Sequence, residues 1–119
     1  YTKAFVTTPD EALAMAEAGV DNIIIHFGNS SGGSIGSKTV LGEDKSLERA
    51  AAIFDALAPK YSDLIYTCHG GAIEYPPQFE AFLANEPRFD GYVGGSSAER
   101  FPIEESVPKT TRAFKAISR

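Results

Sequence analysis

What most constrains this chain is an alternation: four short apolar segments, each followed by a stretch of helical spacing. The segments are Lys3 to Thr7, Asn22 to Phe27, Leu64 to His69 and Gly91 to Val93. Such alternation is the sequence form of βα units, which build a parallel sheet. In the second segment Ile23-Ile24-Ile25 is a continuous apolar run. Strands covered on both faces read that way, so a sheet buried on both sides is expected.

The helical stretches carry their own punctuation. Thr8 is placed as an N-cap, with Pro9 at the first helical position, Glu11 three residues after the cap and Gly19 where a C′ glycine belongs. In the second, Leu47, Ala50, Ala51, Phe54, Leu57 and Ala58 form one apolar stripe, while Glu48, Asp55 and Lys60 face water. The third enters through Pro76-Pro77 with Phe79, Phe82 and Leu83 inward. The last sets Val107, Thr111, Phe114 and Ile117 on one side, and Pro108 is expected in its first turn, because a proline further in would break the hydrogen-bond ladder.

A (β/α)8 TIM barrel needs eight such units and roughly 200 residues or more. This chain has four in 119, so residues 1–119 read as one α/β domain piece, the C-terminal half of a barrel. An open flavodoxin-like sheet is the competing fold, although that architecture usually carries more strands. Four parallel strands alone leave two exposed edges, so a second half is expected, from further sequence or from another copy in a homo-oligomer.

Charge and composition exclude several classes. Net charge is −5 and the basic residues are scattered until Lys109, Arg112, Lys115 and Arg119. A nucleic-acid platform needs a concentrated basic face, and this cluster is better explained as the cationic end of the last helix. No apolar run is long enough to span a bilayer. The first residue is Tyr1, and no basic stretch followed by an apolar one stands near it, so a secretory signal is not expected among these residues. Cys68 is the single cysteine, so neither an intrachain disulfide nor a cysteine-based zinc site is available; a reducing, cytoplasmic setting is expected.

In parallel α/β folds ligands bind beyond the C-terminal ends of the strands. The segment after the second strand, Gly28 to Thr39, is far longer than a βα connection requires. Its glycines let backbone N–H groups approach an anion and its hydroxyls add donors, so Gly32, Gly33, Ser34 and Lys38 are candidate ligand contacts. Gly32 with Ser37-Lys38-Thr39 approaches a P-loop but lacks the glycine before the lysine, and the helix starts too late. A mobile solvent loop is the plainer alternative. After strands three and four stand Cys68-His69-Gly70-Gly71 and Gly94-Gly95-Ser96-Ser97. Barrels often bind phosphate with their seventh and eighth loops. Backbone donors of Gly70, Gly71, Gly95, Ser96 and Ser97 are therefore expected around a small anion, with Arg100 as a forked cation.

His26 and His69 fall at strand ends, where an imidazole can serve as acid, base or ligand, or can be a satisfied structural group. Glu74 is the best-placed carboxylate for acid–base work. Cys68 should point away from His69, since adjacent strand residues face opposite sides, and reads as packing.

Ile25-His26-Phe27-Gly28 with Gly32-Gly33-Ser34-Ile35-Gly36-Ser37-Lys38-Thr39, then Cys68-His69-Gly70-Gly71, then Gly95-Ser96-Ser97-Ala98-Glu99-Arg100 resemble the phosphoenolpyruvate hydrolase-like TIM-barrel family. The same domain occurs in the C-terminal part of Tm-1-type proteins. The resemblance runs from Lys3 to Ile117 and corresponds to the C-terminal half of the family's domain. It implies an often oligomeric barrel acting by hydrolysis or lysis on a three-carbon phospho or phosphono acid. It further implies Mg²⁺ held by carboxylates of earlier strands, outside this chain, with no metal ligand within it. In that setting His26, His69 and Glu74 are the acid–base candidates and Gly28 to Thr39 closes over the ligand. A non-catalytic anion or nucleotide-binding module that mediates protein contacts, as in Tm-1-type proteins, is the alternative.

Overall fold

A computed structural model describes residues 1–117. The elements run β1 (Lys3–Val6), α1 (Pro9–Glu17), β2 (Asn22–His26), α2 (Glu43–Leu57), β3 (Ile65–His69), α3 (Pro76–Asn85), β4 (Gly91–Tyr92) and α4 (Arg100–Lys115). All four strands are parallel and lie in the order β1-β2-β3-β4. Right-handed crossovers between sequential neighbours put every connecting helix on the same side. A doubly wound flavodoxin-like sheet instead reverses its strand order to place helices on both faces.

That winding corrects the expectation of a doubly covered sheet. Val6, Ile23, Ile25, Phe27 and Cys68 share a core with Ala12 and Ala16 of α1, Ala50, Ile53, Phe54 and Leu57 of α2, and Phe82 of α3. The alternate residues face away from the helices. There the register brings Phe5, Ile24 and Thr67 side by side, and His26 beside His69. Phe5 is 57% exposed and Ile65 38%. Ile24 and Asn22 are nevertheless buried, because β2 is flanked on both edges and Asn22 bonds Thr67 Oγ1 at 2.9 Å and the Tyr1 hydroxyl at 3.0 Å. The apolar run of β2 reflects this central position rather than a second layer of helices.

Local signals account for the helix starts. The Thr8 side chain accepts from the Glu11 N–H at 3.2 Å, while the Glu11 carboxylate accepts from the N–H groups of Thr8 and Thr7, closing the capping box. Gly19 takes φ +84° just beyond α1. Gln78 returns to the N–H groups of Glu74 and Tyr75 at the head of α3. Arg88 ties the core's rim together, pairing with the buried Glu86 at 2.7 Å and with Asp55 of α2 at 2.8 Å while covering the Phe54 ring.

Three side-chain placements differ from the sequence pattern. Ile53 is fully buried on α2, whereas Ala58 lies past the helix end and is exposed. On α3 Phe82 is buried and Leu83 exposed; neighbours about 100° apart cannot both centre on one face. Pro108 sits well inside α4 and not in its first turn, because the helix begins at Arg100. Lacking an N–H, it leaves the Glu104 carbonyl without its intrahelical donor. Beyond Phe101, α4 leaves the sheet, so Val107, Phe114 and Ile117 are exposed and the molecule is elongated, 69 × 30 × 23 Å. Arg112 and Lys115 do occupy its last turn; Arg119 of the basic cluster lies outside the described residues. No helix among the described residues is long and apolar enough to cross a membrane.

Candidate functional site

The loops at the C-terminal ends of β2 and β3 cross through backbone contacts that only glycine permits. Gly70 and Gly71 have φ of +78° and +64°. The Gly71 N–H donates to the Gly28 carbonyl at 3.0 Å, and the Phe27 N–H donates to the His69 carbonyl at 3.0 Å. A Cβ on Gly70 would fall inside the Gly28 carbonyl oxygen, and one on Gly71 would stand 2.7 Å from the Phe27 Cβ. These two glycines therefore serve a loop crossing, and the Gly71 N–H is occupied there.

After β4 the chain turns at once into helical geometry. The Gly95 carbonyl accepts from Ala98 and Glu99, and the Ser96 carbonyl accepts from Arg100 and Phe101, all at 2.9–3.0 Å. Among the described residues the N–H groups of Gly95, Ser96 and Ser97 have no hydrogen-bond acceptor. They belong to the helical turn that leads into α4 and, like the first donors of a helix, stand unpaired. A polar recess of about 480 Å³ opens here, lined by Asn29, Ser30, Ile35, Ser37, His69, Gly95, Ser96 and Arg100. It draws on the loops after β2 and β4 and on His69 at the end of β3.

The remaining candidates are distributed around this recess. The Arg100 guanidinium donates to the Gly32 carbonyl at 2.8 Å, to Glu104 at 3.1 Å and to Ser96 Oγ at 3.3 Å. Glu104 in turn accepts from the Ser34 N–H at 2.8 Å and its hydroxyl at 2.9 Å, which holds its carboxyl below the usual range. Gly33 packs against this pair, where a Cβ would run into both side chains, and a Cβ on Gly32 would lie 2.6 Å from Glu74 and 2.8 Å from Phe101. Arg100 and Glu104 thus fasten the long loop to the head of α4. Lys38 is exposed and outside the recess lining. Glu74 accepts from the Ser31 hydroxyl and lines a separate, mostly apolar cleft of about 440 Å³ with Ile73, Tyr75, Pro76, Phe79, Tyr92 and Ser97.

His26 and His69 are cross-strand partners whose rings stack with centroids 5.4 Å apart. Phe5 meets both rings edge-on at 5.5 Å. His26 Nδ1 accepts from the Gly28 N–H at 3.2 Å, and His69 Nδ1 lies 2.7 Å from the Val93 carbonyl. Burial, then the neighbouring His69 and Arg49, push the His26 pKa below its ordinary value of 6.5. Cys68 points to the helical face, fully buried, its thiol pushed up to about 12 by burial.

Of the residues expected from the sequence, the structure brings His69, Gly95, Ser96 and Arg100 to one recess, and it sets beside them others that the sequence reading did not name. Glu104 was signalled by its i,i+4 spacing from Arg100. Arg49, which donates to the His26 carbonyl at 2.7 Å from α2, and Phe5 had no local signal, since both contacts depend on strand register and helix packing. No group of three or more His, Cys, Asp or Glu side chains among the described residues could hold a metal ion.

A family model described as phosphoenolpyruvate hydrolase-like matches residues 1–117. Over 117 residues, 98% of this chain, the sequence is 41% identical to the ToMV resistance protein Tm-1(GCR237) of Solanum lycopersicum and 40% identical to the ToMV susceptible protein tm-1(GCR26) of the same plant. The chain spans only 16% of the length of either. Among solved structures, nitroalkane oxidase from Streptomyces ansochromogenes superposes with a TM-score of 0.53 at 26% identity, over 81% of this chain and 27% of that one.

Proposed function

Because this chain belongs to the phosphoenolpyruvate hydrolase-like family, we propose that it supplies four C-terminal βα units of a (β/α)8 barrel enzyme acting on a small phosphorylated or phosphono carboxylic acid. The observation that carries this reading is the unpaired N–H turn at Gly95, Ser96 and Ser97, which opens α4 on the rim of a polar recess. Aligned peptide dipoles and free N–H groups make a helix N-terminus attractive to an anion without any cationic side chain. In barrels this is also where phosphate is commonly held. The fit to a barrel is supported by the sequential strand order and by the likeness to a TIM-barrel enzyme.

The ligand's anionic group sits on the Gly95–Ser97 turn, and His69, on the recess wall, reaches its reacting part. The Gly28 to Thr39 loop, fastened by Arg100 and Glu104, covers the site and excludes water. Glu74 faces the neighbouring cleft and serves the loop through Ser31. A Mg²⁺ ion, where the reaction uses one, would be held by residues outside this chain, as no ligand set is gathered among the residues described. The other half of the barrel comes from further sequence or a second copy, in a cytoplasmic protein.

A second reading is a non-catalytic anion or nucleotide-binding module that mediates protein contacts; what supports it is the likeness to a protein named for virus resistance, 41% identical over 117 residues. Calorimetric titration with phosphoenolpyruvate and phosphonopyruvate tests the anion site. Ser96→Asp should weaken binding about tenfold or more by like-charge repulsion, while leaving the fold intact because acidic residues suit a helix N-terminus. Equal binding by this variant and the parent chain would sink the proposal. Binding without turnover in the complete protein would favour the module.

A further inference from the structure

The two histidines at the strand ends are held by backbone groups of opposite kind. A carbonyl oxygen only accepts, so the 2.7 Å contact with Val93 requires a proton on His69 Nδ1 and leaves its Nε2 bare in the neutral ring. A backbone N–H only donates, so the 3.2 Å contact with Gly28 requires a bare His26 Nδ1 and puts the proton of the neutral ring on Nε2. Neither Nε2 has a hydrogen-bond partner among the described residues, so each is the nitrogen left for a ligand. The rings stack at 5.4 Å, and the edge of Phe5 against both limits the water around them.

Resting on the anion-site reading above, we infer that His26 and His69 form a pre-set pair for enolising a small anionic carbonyl compound, with His69 Nε2 as the base and His26 Nε2–H as a neutral hydrogen-bond donor. His69 takes the proton from the carbon next to the carbonyl. The C–H electron pair becomes the carbon–carbon double bond of the enolate, and the carbonyl π electrons move onto oxygen, which accepts the hydrogen bond from His26. His26 keeps its proton throughout, since losing it would leave an imidazolate. The reverse step returns the proton from the His69 imidazolium to carbon, and no oxidant or further reactant is needed. A neutral imidazole serving as electrophile beside a separate base is an established way of polarising a carbonyl. Burial and the charges of His69 and Arg49 disfavour protonation of His26 and keep it in this form.

The ligand must be small. A Cβ on Gly95 would stand 3.3 Å from His69 Cε1, so the anion-holding turn and the base are neighbours. An anionic group on that turn leaves room for only a few bonds before the carbon that His69 attacks.

Nitrogen-15 NMR of the histidine rings in the full chain reads the tautomers without any ligand. His69 should be protonated at Nδ1 and His26 at Nε2; identical or exchanged tautomers overturn the pair. Proton NMR in D₂O then follows exchange of the pyruvate methyl protons, with pyruvate binding measured in parallel. His69→Asn retains a donor for the Val93 carbonyl but removes the base, so exchange should fall about a hundredfold with binding kept. His26→Asn retains an acceptor for the Gly28 N–H and should slow exchange about tenfold or more. Unchanged exchange in His69→Asn overturns the assignment of the base. Binding without exchange in the parent chain overturns enolisation but leaves the anion site standing, whereas absence of binding overturns both.

Discussion

At the scale of single residues, glycine carries the site, and different glycines do so for different reasons. Gly19 and Gly70 share nearly the same φ, +84° and +78°. A Cβ on Gly19 meets nothing within 4 Å, whereas one on Gly70 runs into the Gly28 carbonyl. Gly19→Ala should therefore cost about 1 kcal/mol, the strain of a left-handed alanine, while Gly70→Ala should cost about 3 kcal/mol because the crossing of two loops must also move. Urea unfolding of both variants checks this, and equal losses would mean that the crossing is soft. The sequence marked Gly70-Gly71 and Gly95-Ser96 alike as anion loops, since a glycine pair looks the same in either role. What separates them is tertiary: the Gly71 N–H is taken by Gly28, and those of Gly95 and Ser96 are not. His69 was legible because strand period and strand end are both local properties. The tautomer it adopts depends on a carbonyl 24 residues away and was not.

At the scale of elements, the long loop behaves as part of α4. Its attachment is a chain of charge-assisted bonds, Arg100 to the Gly32 carbonyl and Glu104 to the Ser34 N–H and hydroxyl. Glu104→Gln keeps the shape but loses the charge that Arg100 and Ser34 address. Amide hydrogen exchange in residues 30–37 should accelerate about fivefold or more in this variant, with α1 and α2 unchanged. Unaltered exchange in the loop would show that the fastening lies elsewhere. The composition of the loop suggested mobility as readily as binding, and only its contacts with an element some 70 positions away tell against free mobility. The same limit explains Pro108. Its position relative to a helix start cannot be read until Gly95 to Arg100 is known to turn helically, and serines and glycines do not announce a helix.

At the scale of the whole molecule, the four βα units were legible because hydrophobic periodicity is local. The one-sided cover of the sheet was not, because it follows from strand order. That cover also shapes how stability should depend on pH. On the open face, His26 has a lowered pKa owing to burial, His69 and Arg49. The unfolded chain therefore binds a proton first, and stability falls as pH drops below about 6.5. Glu86, lowered chiefly by its bond to Arg88, together with Glu11, Asp21 and Glu104, adds a second loss as pH falls below about 4.5, since these carboxylates stabilise the fold only while ionised. On the helical face the sign is opposite. Cys68 is raised from 9.0 to about 12, so the unfolded thiol ionises first and stability falls from about pH 9 upward, by about 2 kcal/mol at pH 10.5. The plateau should therefore lie between about pH 6.5 and 9, each end set by a different face of the sheet. Urea unfolding from pH 5 to pH 10.5 checks this with two variants. Cys68→Ala should remove the loss that starts near pH 9, leave the one that the raised Tyr66 hydroxyl adds above about pH 10, and not touch the acid limb; His26→Asn should flatten the acid limb between pH 5 and 6.5 and leave the alkaline limb alone. An alkaline limb unchanged by Cys68→Ala would mean that the thiol is less buried than its place in the core requires, and the packing of β3 against the helices would have to be redrawn.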